Sequence, residues 1–107
     1  MFEIFVRDSL IRAIRKENKW SDCITLYCFL QYTLELQILS QENPYIFDEN
    51  GGFQGNIVYA TVGYCMERLE WTEDRVRLAK KKLIKHDLII PGHVGNKSVL
   101  FLSWKAG

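Results

Sequence analysis

Two amphipathic helical stretches separated by only two residues constrain this chain more than any other feature. Between Thr61 and Leu69, the residues Val62, Cys65, Met66 and Leu69 recur at i, i+3, i+4 and i+7, which is one face of a helix. Glu70-Trp71 follows as the connection. Thr72 then has the side chain of an N-cap, and Glu73 and Asp74 stand in the next turn, where the helix dipole favours acids. In that second helix Val76, Ala79 and Leu83 share a face and point inward. Leu88-Ile89-Ile90 and Val99 to Trp104 read as two strands, joined by a loop from Pro91 to Asn96 that carries two glycines. Helix, tight connection, helix and hairpin is the order of a winged helix-turn-helix. The fold class expected is α+β and mostly α, with a small antiparallel β-sheet. In this motif the second helix is commonly the one placed in the DNA major groove.

The rest of the chain fits one domain over residues 1–107. Met1 to Val6 reads as a short strand or an extended arm, and Arg7 to Asn18 as a helix with Leu10, Ile11 and Ile14 on one side. Ser21 or Asp22 is the expected cap of a longer helix ending near Leu39. That helix is apolar on two sides: Cys23, Leu26, Tyr27, Leu30 and Leu34 form one stripe, and Ile24, Cys28, Leu36 and Leu39 lie on a second. A helix of this kind packs on more than one neighbour: either the N-terminal helix and the helix-turn-helix cover both stripes, or one stripe is the interface of a homodimer. Tyr45-Ile46-Phe47 reads as a brief strand and Asp48 to Gly52 as a turn whose acid spacing does not fit a calcium loop. Ile57-Val58-Tyr59 reads as a strand that pairs with the hairpin.

Composition narrows the function classes. Hydrophobic residues make up 48% of the 107, enough for a core. The most apolar stretch, Cys23 to Leu39, is interrupted by Gln31, Glu35 and Gln37, so no membrane span is expected. The N-terminus lacks the pattern of a signal peptide, and the three cysteines, Cys23, Cys28 and Cys65, fall at apolar helical positions; a reduced, cytoplasmic protein is expected. The net charge of +1 hides an asymmetry, because residues 21–60 hold five acids and no Lys or Arg. The basic charge lies on either side of that segment.

The second helix of the tight pair carries the chemistry of interest. Asp74, Leu78, Lys81 and Lys85 lie opposite its apolar face, with Arg77 on one flank and Arg75 and Lys82 on the other. Such a cationic surface neutralises phosphates. The expected DNA-contact residues are therefore Thr72, Arg75, Arg77, Lys81, Lys82 and Lys85, with Lys97 on the wing. Glu73 and Asp74 repel phosphate, and they either accept from cytosine N4 or serve the cap. A second basic cluster, Arg7, Arg12, Arg15, Lys16 and Lys19, reads as a solvated face. Cys23 and Cys28 are five apart and His86 and His93 seven apart, which matches no metal-site spacing. No phosphate-binding loop, nucleophile elbow or helical His/Glu pair is present, so neither an enzyme nor a cofactor is expected.

The run Trp20-Ser21-Asp22-Cys23-Ile24-Thr25-Leu26-Tyr27-Cys28-Phe29-Leu30 resembles the first core helix of the N-terminal winged-helix domain of plasmid and phage replication initiators and replisome organisers. Asp48 to Tyr59 is similar to the polar segment and strand that follow it there. Thr61, Leu69, Thr72, Leu88 and Ile89 match the Thr opening the next helix, the Leu near its end, the capping residue and the closing Leu-Ile. Lys80 stands where that pattern often has an apolar residue, and Leu78 where it often has a polar one. The resemblance covers about residues 20 to 104 and implies a partner in double-stranded DNA, with a role in replication initiation or transcription control. The alternative is a winged helix used as a protein-interaction module, such as a phage-encoded inhibitor or adaptor, which the near-zero net charge and the charge-poor wing favour.

Overall fold

The computed structural model describes Arg12, residues 14–40, 57–94 and 96–102. The expected strand or arm at Met1 to Val6, the strand at Tyr45 to Phe47, the turn at Asp48 to Gly52 and the strand end at Trp104 lie outside the described residues. Within them the order is helix α1 (Trp20–Ser40), strand β1 (Ile57–Val58), helix α2 (Val62–Leu69), helix α3 (Glu73–Lys85), strand β2 (Ile89–Val94) and strand β3 (Lys97–Leu102). The three strands form one antiparallel sheet in the order β1-β3-β2. The fold is α+β, mostly helical and winged-helix-like.

Local chemistry sets the tight pair as the sequence predicts. Thr61 caps α2 by accepting from the Tyr64 amide, and Thr72 caps α3 by accepting from the Arg75 amide. Glu70 adopts the left-handed conformation at φ 57° and closes α2, its amide donating to the Met66 carbonyl. Glu70, Trp71 and the cap Thr72 suffice as the connection because this reversal turns the chain in one step. Lys19 and Asp87 take the same left-handed conformation, one immediately before α1 and one beyond α3.

The core gathers the predicted inward faces. Cys23, Leu26, Tyr27, Leu30 and Leu34 of α1 meet Cys65 of α2 and Val76, Ala79 and Leu83 of α3. Val58, Leu88, Ile89, Leu100 and Leu102 close it from the sheet side, and Ile14 is fully buried with them. The second stripe of α1 divides: Ile24 is half-buried against this core, whereas Leu36 is 42% and Leu39 73% exposed. Gln37 clamps the end of β1, its side-chain amide donating to the Tyr59 carbonyl at 2.8 Å and accepting from the Tyr59 amide at 3.2 Å.

Three expectations need correction. The helix expected to run to Asn18 has ended by Arg15, and residues 15–19 form turns that lead into α1. Neither Ser21 nor Asp22 caps α1, which already starts at Trp20. Asp22 lies in its first turn, with the carboxylate committed to Arg75. The stretch Pro91 to Val94 is strand rather than loop, and Val94 pairs directly with Lys97. Pro91 fits because β2 is an edge strand, where a missing N–H on the outer side breaks no ladder bond. Gly92 is needed for space rather than for a turn, because a Cβ there would collide with the ring of Phe101 on β3.

Candidate nucleic-acid interface

Helix α3 turns its apolar face to α1 and the sheet, which leaves Asp74, Arg77, Leu78, Lys81 and Lys85 exposed. The structure places the seven predicted residues in three different situations. Thr72 serves as the cap of α3 and lies at its solvent-facing start. Arg75, Lys82 and Lys85 reach back to the segment before α1 and to its first turn. Arg77, Lys81 and Lys97 remain toward solvent.

The first of the inward contacts is Arg75. Its Nε and Nη2 donate to the two carboxylate oxygens of Asp22 at 3.0 and 2.9 Å, while its guanidinium lies 4.2 Å from the centre of the Trp71 ring. A planar fork bonded at its edge and stacked on its face is held in one orientation. These hydrogen bonds from Arg75 hold the Asp22 carboxyl below its ordinary value. Lys82 donates through Nζ to the Asn18 carbonyl. Lys85 donates to Glu17 Oε1 at 2.6 Å, and the His86 Nε2 lies 3.1 Å from the same oxygen. The hydrogen bonds from Lys85 and then His86 lower the Glu17 pKa. Glu17 carried no expected role, and Asp22 was one of two expected caps of α1. Both instead serve as counterions of α3.

The outward residues meet a different surface. Arg77 Nε lies 3.4 Å from Glu73 Oε2 one turn earlier, an exposed pair of the kind that contributes little. Lys81 is exposed with no ion pair among the described residues. Lys97 opens β3, its ammonium 5.6 Å from the Tyr59 ring centre. Between α3, the start of α2 and the hairpin runs a groove of about 490 Å³, lined by Arg77, Lys80 and Glu73 on one wall and His93, Ser98 and Gly92 on the other. Thr61 and Gly63 bring the N-terminus of α2 to its end. Lys80 and His93 are absent from the predicted set. Lys80 was legible as a residue that must reach outward from beside the apolar stripe. His93 stands in the stretch expected as a loop, which the structure makes part of β2.

On the other side of α3, a cleft of about 500 Å³ is bounded by Lys19, Ser21, Asp22, Thr72, Asp74, Arg75 and Leu78. Here the starts of α1 and α3 face each other, and acids occupy both.

No family model matches this chain, and no curated protein matches it in sequence. It is similar in structure to a solved N-terminal domain of a DNA binding protein, with a TM-score of 0.60 at 18% identity over 96% of this chain and 84% of the other. At that identity the likeness is one of fold. It spans both helices of the tight pair and the hairpin, the elements that build the groove.

Proposed function

We propose that this is a non-enzymatic, double-stranded-DNA-binding domain acting in the cytoplasm, in plasmid or phage replication initiation or in transcription control. The observation that carries this reading is the groove between α3 and the hairpin, with Arg77 and Lys80 on its helical wall and His93 on its strand wall. Helix α3 enters the major groove with Lys81 and Arg77 leading, and Lys97, beside the turn of the hairpin, contacts the adjacent backbone. The likeness to a domain of a DNA binding protein supports the same reading.

A second reading is a winged helix that binds a protein. The inward commitment of Arg75, Lys82 and Lys85 favours it, since three of the expected phosphate ligands already have partners. The short hairpin favours it too, because Val94 pairs with Lys97 and little chain extends beyond the sheet.

Salt dependence separates the two. With about three to four phosphate contacts, log affinity for random duplex should fall against log salt with a slope of about −3 to −4. The double variant Arg77→Glu/Lys81→Glu should bind more weakly and with a shallower slope while folding normally, since neither residue enters the core. Absence of duplex binding at low salt, together with loss of a protein partner in the same variant, would replace the DNA reading with the second one.

A further inference from the structure

We infer that Leu78 reads the C5-methyl group of thymine in the major groove; this rests on the DNA-binding reading and adds a base preference to it. Leu78 is 41% exposed on the outward face of α3 and takes no part in the core cluster. Its neighbours at helical spacing are polar: Asp74 at i−4, Lys81 at i+3, Lys82 at i+4 and Lys85 at i+7. An isolated exposed leucine is ordinary on a protein surface. This one lies between Arg77 and Lys81, which stay toward solvent and suit phosphates, on one side and Arg75 and Lys82, held by Asp22 and the Asn18 carbonyl, on the other. It also forms the apolar edge of the cleft shared with Thr72, Asp74 and Arg75.

The chemistry of the base edges selects the contact. Among the groups displayed in the major groove, the thymine methyl is the apolar one, and apolar side chains are its usual partners. Guanine is read there by Arg or Lys against O6 and N7. Arg75, the arginine nearest Leu78 on the cleft, is held by Asp22 and Trp71 and is withdrawn from that task. Asp74, one turn before Leu78, is repelled by guanine's two acceptors and accepts from an exposed amino group, which adenine N6 and cytosine N4 supply. An outward face of Asp74 and Leu78 thus matches an A·T pair, amino donor and methyl together.

The test compares duplexes that differ by the methyl alone. Alternating d(A-T) and d(A-U) copolymers carry the same phosphates and the same hydrogen-bonding groups. Wild-type protein should bind d(A-T) about three- to fivefold more tightly at one fixed low salt, the factor that one methyl-sized group withdrawn from water supplies. Alternating d(G-C) should gain affinity when its cytosines carry a 5-methyl group. Leu78→Ala should bind d(A-T) and d(A-U) equally and keep its circular dichroism, because Leu78 lies outside the core. Equal binding of d(A-T) and d(A-U) by wild type would overturn the methyl reading and leave DNA binding standing. A preference that survives in Leu78→Ala would overturn the assignment to this residue. Failure to bind any duplex would remove the DNA reading and this inference with it.

Discussion

At Gly92 a single hydrogen stands where any Cβ would run into the ring of Phe101 on the neighbouring strand. The ring lies over the glycine because Gly92 faces Val99, two residues from Phe101 on the same strand. Gly92→Ala should therefore destabilise by about 1–3 kcal/mol, the usual cost of an overpacked site. Adding Phe101→Leu, which removes the ring, should return part of that loss. Urea denaturation of the two variants checks this, and an unchanged midpoint for Gly92→Ala would mean that the ring moves aside freely. The residue also shows where reading the chain alone stops. Glycine beside proline is the signature of a turn, and nothing within the local sequence says that an aromatic ring nine residues later occupies the space. The cap Thr72 was legible for the opposite reason, since a cap is satisfied within three residues of itself.

Helix α3 is tied to the start of α1 by charge. Asp22 and Glu17 both have folded pKa values below their ordinary 3.8 and 4.5, held down first by hydrogen bonds from Arg75 and Lys85 respectively. The unfolded chain therefore takes up protons on these groups at higher pH than the folded one. Their contribution is complete above those ordinary values and is lost as pH falls through the depressed ones. Unfolding midpoints should thus drop between pH 5 and about pH 3, and Asp22→Asn should flatten that drop while lowering the midpoint at pH 7. An identical pH profile in Asp22→Asn would show that the Arg75 contact does not couple to folding. The inward face of α3 was legible because Val76, Ala79 and Leu83 repeat within one helix. Its outward charges were only half legible, because the Asp22–Arg75 pair joins residues 53 apart and the Glu17–Lys85 pair 68 apart. Counting cations along α3 misses acids that another part of the chain supplies.

Across the whole molecule, the three cysteines are free, with Cys23 and Cys65 buried and Cys28 half-buried. Burial raises the pKa of all three thiols, which keeps them protonated and poorly nucleophilic near neutral pH. Labelling by a thiol reagent should be slow in the folded protein and rapid in urea. Fast native labelling of Cys23 and Cys65 would show that the core opens readily. Among the described residues no helix is long and apolar enough to cross a membrane. The order of elements and the pairing of β1 with the hairpin were legible across this scale, since alternation and spacing carry them. The exposed end of α1's second stripe was not, because an apolar pattern states that a face can be covered and not whether it is.

The clamp between Gln37 and Tyr59 has a consequence for how the chain tolerates change. A side-chain amide here does the work of a neighbouring strand, offering one donor and one acceptor to a single backbone residue. It fastens the last turns of α1 to the chain just after β1, so the two hydrogen bonds between Gln37 and Tyr59 tie together the ends of the intervening segment. Closing a loop becomes harder only with the logarithm of its length, about 0.6 kcal/mol for each doubling. The hold of Gln37 on Tyr59 therefore counts for more in seating β1 than the length of chain that lies between them.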